Sequence, residues 1–103
     1  MIVIIENEYL ELLYQGLLGK VKPKFSELVI KKFKQKVLML KNADNINQIR
    51  TIKSLNFELL KGELKSKCSI RVDKKYRIIF RMEKEEVVIE KIIIIEELSK
   101  HYQ

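Results

Sequence analysis

Two stretches in the second half of the chain alternate apolar and polar side chains with the period of a β-strand. The apolar positions of the two stretches are Cys68, Ile70 and Val72, and then Tyr76, Ile78, Phe80 and Met82. The opposite face of both strands then carries Arg71, Arg77 and Arg81. Between the stretches, Asp73-Lys74-Lys75 has the composition of a tight turn. The pattern predicts a β-hairpin with its core on one face and three arginines on the other.

The first half of the chain predicts one short strand and two helices. The apolar run Met1 to Ile5 is typical of a strand, and Asn7 is a suitable N-cap for a helix that runs to about Leu18. A second helix is predicted from about Ser26 to Lys41, with an apolar stripe on one side and lysines on the other. Its stripe consists of Phe25, Val29, Phe33, Val37 and Leu40. Ile46 to Ile52 predicts another helical turn.

The last strand completes the fold prediction. Val87 to Ile94 is almost entirely β-branched, which is typical of a central strand covered on both faces for part of its length. A turn at Glu83 to Glu86 would join it to the hairpin as an antiparallel meander. We therefore predict an α+β fold in which an N-terminal strand and two helices pack on one face of a mainly antiparallel sheet with a C-terminal three-stranded meander. The tail from Leu98 to Gln103 is expected to fold over an edge of the other, concave face.

Length and composition narrow the class of protein. The 103 residues predict one domain, spanning 1–103, and no apolar run approaches the roughly 20 residues of a membrane helix. With no basic region followed by an apolar signal core, a cytoplasmic protein is expected. A single cysteine and a single histidine argue against a metal site, and no sequence feature indicates a cofactor. Cys68 lies on the apolar face of its strand, which predicts a reduced core residue.

The charge indicates an anionic partner. The chain has 21 Lys and Arg against 14 Asp and Glu, a formal net charge of +7. Clustered arginines on one sheet face favour a phosphate-bearing partner, because the guanidinium fork matches phosphate oxygens. Nucleic acid fits better than a membrane, since no segment combines an apolar face with a long basic stripe. The same arginines are also typical of an ordinary surface strand whose arginines pair with glutamates, and the hairpin alone does not separate these interpretations.

Several segments together resemble a known family. They are Leu60-Lys61-Gly62, Ser69-Ile70-Arg71-Val72, Tyr76-Arg77-Ile78 with Phe80, and the ending Leu98-Ser99-Lys100-His101-Tyr102. Over residues 49–103 the chain resembles the HigB branch of the RelE/ParE toxins. The resemblance implies a RelE-like toxin of a type II toxin-antitoxin module that cleaves messenger RNA in the ribosomal A site. It also implies a HigA-like antitoxin partner, often with a helix-turn-helix, so that operator DNA is bound only through the complex.

The resemblance and the chemistry of RNA cleavage together nominate catalytic residues. Metal-free cleavage uses the ribose 2′-hydroxyl as nucleophile and needs a base, an acid and positive charge on the phosphoryl oxygens. Arg77 matches the family's functional arginine, and Lys61 could assist it. His101 titrates near neutrality and is the best acid or base candidate, with Tyr102 as its partner or as a platform for a base. Many relatives end in Asp-Tyr-His, whereas here Ile92 to Glu97 intervenes, so the assignment of acid and base stays open.

RNA binding is predicted to extend beyond these residues. The candidates for phosphate contacts are Arg71, Arg81, Lys53, Lys65, Lys67, Lys74 and Lys75. Such a sparse catalytic set predicts weak activity on free RNA, because the substrate must be held in line by the ribosome. Two other functions stay open. One is ParE-like inhibition of DNA gyrase without nuclease activity, and the other is RNA binding without chemistry.

Overall fold

A computed structural model describes residues 1–20, 22–84 and 91–100. Its helices and strands, in chain order, are β1 (Ile2–Ile5), α1 (Glu8–Gln15), α2 (Glu27–Asn42), α3 (Ile46–Thr51), β2 (Glu58–Leu59), β3 (Cys68–Arg71), β4 (Tyr76–Lys84) and β5 (Lys91–Lys100). Short 3₁₀ turns at Lys53–Leu55 and Gly62–Leu64 precede and follow β2. The order of elements confirms the predicted α+β fold.

The five strands form one mixed sheet in the order β1-β5-β4-β3-β2. The last three strands, β3 to β5, are antiparallel neighbours, which confirms the predicted meander. β1 runs parallel to β5, with Ile4 opposite Ile94, so the first and last strands of the chain lie side by side. β2 pairs antiparallel with β3 at the other edge of the sheet. The sequence patterns did not predict β2, because two residues are too few to show a period.

The core lies between the helices and one face of the sheet. The apolar stripe of α2 contributes Phe33, Val37 and Leu40, all fully buried. The sheet contributes alternate residues such as Ile78 and Phe80 from β4. The alternation therefore has the predicted direction, with the core residues inside and the intervening residues on the opposite face. Cys68 is buried in this core as predicted, and burial raises the pKa of its thiol.

The helix ends follow from their capping residues. The Ser26 hydroxyl accepts a hydrogen bond from the Val29 backbone amide at 3.2 Å and caps α2, which therefore begins at Glu27, one residue after its predicted start. The Asn7 side chain caps α1 in the same way, through the Leu10 amide at 3.1 Å. α1 ends at Gln15, earlier than predicted, because Gly16 adopts a left-handed conformation with φ of 72° and terminates the helix.

The last strand differs from its prediction. β5 extends from Lys91 to Lys100, whereas the apolar run predicted a strand over residues 87–94. Leu98 lies opposite Ile78 and is buried, so residues 98–100 continue the sheet and do not fold over its edge. The predicted turn began too early, since β4 includes Glu83 and Lys84. Residues 85–90 and 101–103, which include the rest of that turn and the end of the tail, lie outside the described residues.

The described residues contain neither a membrane-spanning helix nor a cluster of metal-binding side chains. None of their helices is long and apolar enough to cross a membrane. In the same part of the chain, no three His, Cys, Asp or Glu side chains come together as a metal site.

Candidate active site

The three predicted arginines lie on the sheet face opposite the helices, as the alternation predicted. Arg71 on β3 is directly opposite Arg77 on β4, and Arg81 is four residues further along β4. Arg71 is exposed, whereas Arg77 and Arg81 are half-buried among neighbouring side chains. Shared position on one face does not give the three arginines the same surroundings.

Arg77 forms an ion pair with Glu58 of β2. The distance between Arg77 Nη1 and Glu58 Oε2 is 3.1 Å. The Arg77 side chain is only 13% exposed, whereas that of Glu58 is 42% exposed. The guanidinium is thus held in place at the sheet surface, while the carboxylate beside it remains open to a ligand.

The local structure explains why Glu58 reaches Arg77. Phe57 packs its ring against Phe80 in the core, with ring centroids 6.2 Å apart, so the next side chain along the strand points to the opposite face. Pairing of β2 with β3 places Glu58 opposite Ser69. Strand β3 therefore lies between Glu58 on β2 and Arg77 on β4. The Asn56 amide group also donates to Glu58 Oε1 at 3.3 Å. The sequence analysis did not nominate Glu58, because its position was assigned to the connection before the hairpin. The sequence signal was the step from apolar Phe57 to acidic Glu58.

Arg81 is the centre of a second, denser group of ion pairs. Its Nη1 and Nη2 atoms donate to the two carboxylate oxygens of Glu6 at 2.9 and 3.1 Å, and its Nε donates to Glu83 at 3.0 Å. The hydrogen bonds from Arg81 lower the pKa of Glu6, and those to Glu6 and Glu83 raise the pKa of Arg81. Arg81 therefore ties the end of β1 to β4.

Glu96 extends the same group across β5. The register of β4 and β5 shifts between Ile79 and Phe80, which leaves Glu96 as the extra residue of a bulge. Its Oε1 atom lies 2.9 Å from Lys67 Nζ and 3.5 Å from Arg81 Nη1. Its Oε2 atom is buried and has no hydrogen-bond partner among the residues described. Lys67, predicted to contact phosphate, is engaged with this carboxylate.

These pairs change the predicted electrostatics of the sheet face. Arg77, Arg81 and Lys67 each contact a carboxylate, so much of the predicted positive charge is balanced within the protein. The interpretation in which surface arginines pair with glutamates therefore holds for Arg77 and Arg81. Arg71 differs, because no ion pair joins it to another described residue.

The other nominated residues are distributed around the face. Lys61 is exposed just before the Gly62–Leu64 turn, with no contact that links it to the Arg77–Glu58 pair within the described chain. Exposed lysines occur at Lys53, Lys65, Lys74 and Lys75. His101 and Tyr102 lie outside the described residues. Ser99, two positions before His101 in the sequence, is opposite Arg77 in the sheet.

The Arg77–Glu58 pair has side chains of the types that two of the functions in phosphoryl transfer use. A guanidinium can stabilise the charge that develops on phosphoryl oxygens, and a partly exposed carboxylate can accept a proton from a hydroxyl group. Glu58 and Arg77 lie on β2 and β4, which pair with β3 from either side, and strands give the support that a preorganised site needs. Neither the arginine nor the carboxylate requires a metal ion for these roles.

Comparison with solved structures supports the fold. The chain resembles the YoeB/ParE toxin from Agrobacterium tumefaciens, with 15% identity, a TM-score of 0.61 and coverage of 99% of this chain and 100% of that one. It also resembles a chain of the YoeB-YefM complex from Staphylococcus aureus, with 17% identity, a TM-score of 0.50 and coverage of 97% and 95%. At these identities the likeness shows the fold alone.

Comparison of the sequence identifies the family. No curated protein matches the chain. The family model described as "RelE-like toxin of type II toxin-antitoxin system HigB" matches residues 5–93, which is most of the chain. This match agrees with the resemblance in the hairpin and with the observed fold. The chain therefore belongs to the HigB-like family of RelE-like toxins of type II toxin-antitoxin systems.

Proposed function

We propose that this toxin is a ribosome-dependent endoribonuclease that cleaves messenger RNA in the A site and so inhibits translation. The observation that carries the proposal is the Arg77–Glu58 pair on the sheet face opposite the helices, with its 3.1 Å contact and its exposed carboxylate. The pair supplies two of the three functions that cleavage of RNA without a metal needs, namely a base and a charged phosphate ligand.

The proposed reaction assigns each proton. The Glu58 carboxylate accepts the proton of the ribose 2′-hydroxyl, and the resulting oxygen attacks the adjacent phosphorus. Arg77 exchanges part of its contact with Glu58 for the phosphoryl oxygens, where negative charge accumulates in the transition state. The bond from phosphorus to the 5′-oxygen breaks and that oxygen takes a proton from an acid. The products are a 2′,3′-cyclic phosphate and a 5′-hydroxyl.

The acid is proposed to be His101. A histidine is protonated in part near neutral pH, so it can give a proton to the departing oxygen. With Glu58 available as the base, His101 need not serve in both roles. Lys61 and Tyr102 remain proposed as auxiliary groups, Lys61 for charge and Tyr102 for stacking on a base.

The ribosome is proposed to position the substrate. Among the described residues, the Arg77–Glu58 pair lies on a sheet surface, and a surface pair does not by itself impose an in-line geometry on a flexible RNA strand. Exposed Lys53 and Lys65 would contact ribosomal RNA phosphates, which adds affinity without sequence choice. We further propose a cytoplasmic location and a HigA-like antitoxin that neutralises the toxin and provides the complex with its contacts to operator DNA.

Mapping of RNA 5′ ends after brief induction tests the proposal. The native toxin should produce cuts inside codons of translated messages. Arg77→Ala and Glu58→Gln should each reduce cutting by about 10²- to 10⁴-fold, since each removes a group that acts in the transition state. Glu63→Gln is the matched control, because Glu63 is exposed in the Gly62–Leu64 turn and the same isosteric change should leave cutting intact.

The outcomes separate this function from its alternatives. Cuts that require translation and disappear with Arg77→Ala but persist with Glu63→Gln would support the proposal. Arrested growth with intact messages would contradict it and would favour gyrase inhibition or RNA binding without chemistry. Equal activity of Glu58→Gln and the native toxin would remove Glu58 from the mechanism and return the base role to His101.

A further inference from the structure

A basic groove lies between the start of α2 and the turn that joins β3 to β4. Its volume is about 660 Å³, and we call it the hairpin groove. Five cationic side chains line it: Lys24, Lys32, Arg71, Lys74 and Lys75. They come from three separate parts of the chain, so no sequence segment reveals the cluster. This groove is distinct from the Arg77–Glu58 pair, which contributes no residue to it.

The charges of the hairpin groove are not balanced by carboxylates. Among the described residues, none of its five cationic side chains forms an ion pair, in contrast to Arg77 and Arg81. The one acidic side chain of the lining, Asp73, is engaged with the turn itself. Its Oδ1 atom accepts hydrogen bonds from the backbone amides of Lys75 and Tyr76, both at 2.8 Å. The lining of the groove therefore carries an excess of positive charge, with five cationic side chains against the single carboxylate of Asp73.

Aromatic side chains lie among these cations. Phe25 and Tyr76 both line the groove and are half-buried, with their rings edge to face at a centroid distance of 5.4 Å. Aromatic rings beside cationic side chains are typical of surfaces that bind single-stranded nucleic acid, because unpaired bases stack on the rings while the cations contact phosphates. A duplex keeps its bases stacked inside and would use the cations alone.

Arg71 connects the hairpin groove to the candidate active site. It lines the groove and is also the residue directly opposite Arg77 in the pairing of β3 with β4. Side chains of directly opposed residues in antiparallel strands lie about 5 Å apart at Cβ. Because Tyr76 and Phe25 pack on the helix side of the sheet and Arg77 lies on the opposite face, a strand whose phosphate is at Arg77 would cross the end of the hairpin at Arg71 to reach the groove.

We propose that the hairpin groove binds the single-stranded RNA segment next to the cleaved phosphate. Lysines 24, 32, 74 and 75 contact its phosphates, and Phe25 and Tyr76 stack on its bases. This inference rests on the proposed function, since it takes the strand at Arg77 to be RNA. It adds a substrate-binding surface with a defined occupant, and it assigns binding to the groove and chemistry to the Arg77–Glu58 pair.

Fluorescence anisotropy with a labelled 2′-O-methyl RNA oligonucleotide tests the proposal, because this probe lacks the attacking hydroxyl and stays intact. The purified full-length chain is compared with the triple variant Lys32→Gln/Lys74→Gln/Lys75→Gln. The matched control is Lys20→Gln/Lys31→Gln/Lys36→Gln, which loses the same charge from residues that do not line the groove. We expect the groove variant to bind about tenfold more weakly, with a salt dependence shallower by about 2 in log–log slope. The control should keep most of its affinity.

Two further probes distinguish a single strand with stacked bases from RNA that is held by its phosphates alone. An oligonucleotide with abasic positions should bind the native chain several-fold more weakly, since it cannot stack, and duplex RNA should bind no better than the abasic strand. Equal weakening by both triple variants would overturn the proposal in favour of diffuse charge. Equal binding of abasic, duplex and normal strands would overturn it in favour of contacts to phosphates alone.

A third outcome concerns a protein partner. If the groove variant binds the RNA normally but loses affinity for an acidic antitoxin segment, the groove is a protein-binding surface and the proposal is wrong. These results do not depend on cleavage. If Arg77→Ala loses cutting as expected but the groove variant binds RNA as well as the native chain, the proposed role of the groove is wrong. The proposed function would still stand.

Discussion

At the scale of single residues, identical side chains on one sheet face have different roles because their neighbours differ. Arg71, Arg77 and Arg81 follow the same alternation, yet Arg81 is surrounded by glutamates, Arg77 has an exposed one, and Arg71 has none among the described residues. An arginine held by several carboxylates links strands structurally, whereas one beside a partly exposed carboxylate can exchange that contact for a phosphate. The surroundings, more than the residue type, determine which arginine is available to a ligand.

The two leucines near the end of α2 test the packing of the core. Leu40 is fully buried, whereas Leu38 is 51% exposed. Leu40→Ala should lower the free energy of unfolding by about 2–5 kcal/mol, since it removes buried methyl groups and leaves a cavity. Leu38→Ala makes the same chemical change on the exposed side and should cost less than about 1 kcal/mol. Urea denaturation of both variants measures the difference, and equal losses would contradict the packing of α2.

The pair of Glu6 with Arg81 predicts a stability that depends on pH. Hydrogen bonds from Arg81 lower the pKa of Glu6 below 4.5 in the folded protein, so folding favours the charged carboxylate. Its contribution is present above a pH of about 4.5 and is lost as the pH falls through the lowered pKa. Glu6→Gln should therefore be less stable than the native chain near neutral pH and equally stable in acid.

Urea denaturation at a series of pH values measures this difference. Glu63→Gln is the control, since the Glu63 carboxylate has no ion pair among the described residues. A difference between Glu6→Gln and the native chain that stays constant from neutral to acidic pH would show that the ion pair is not its source.

At the scale of helices and strands, capping and pairing determine where each element ends. The helices begin at side chains that accept backbone amides, which are visible in the sequence as Asn7 and Ser26. The strands end where pairing ends, and this depends on distant segments. β5 therefore continues to Lys100, because Tyr76 provides its last partner. β2 exists only because β3 is beside it.

The cap of α1 can be tested directly. Asn7→Ala removes the hydrogen bond to the Leu10 amide and should lower the free energy of unfolding by about 1 kcal/mol. Asn47→Ala is the matched control, because Asn47 is exposed within α3 and caps no helix. Thermal unfolding of both variants measures the effect. A loss in Asn47→Ala as large as that in Asn7→Ala would contradict the capping role.

At the scale of the whole molecule, the sheet has a buried centre and a short edge strand, and we expect the edge to be the less stable part. β5 lies between β1 and β4, and its Ile93 and Ile95 are fully buried. β2 lies at the edge with two residues. The Arg77–Glu58 pair joins the two regions, since Glu58 belongs to the edge and Arg77 to the centre. The candidate site therefore connects a central strand that we expect to be stable with an edge strand that we expect to open first.

Hydrogen exchange measured by NMR tests this gradient. Backbone amides in β5 should exchange only through global unfolding, whereas the Leu60 amide, which donates to the Lys67 carbonyl at 2.9 Å beside β2, should exchange through local opening. Moderate urea should accelerate exchange in β5 strongly and at Leu60 very little. Protection of Leu60 equal to that of β5 would show that the edge opens only with the rest of the fold.

The local patterns of the chain were sufficient for the helices, the hairpin, the meander and the common face of the arginines. Each of these depends on the period of apolar residues, on capping side chains or on turn composition, which neighbouring residues express. The alternation placed Arg77 on one face with Arg71 and Arg81 without distinguishing them, the family resemblance alone nominated Arg77 as catalytic, and neither pointed to Glu58. Ion pairs such as that of Glu6 with Arg81 join residues 75 positions apart, and no local period encodes them. The pairing of carboxylates with arginines was decided by the tertiary structure, because charge balance depends on distance in space. The same is true of the difference between the sheet face, where arginines pair with carboxylates, and the hairpin groove, whose cationic side chains form no ion pair with a described residue.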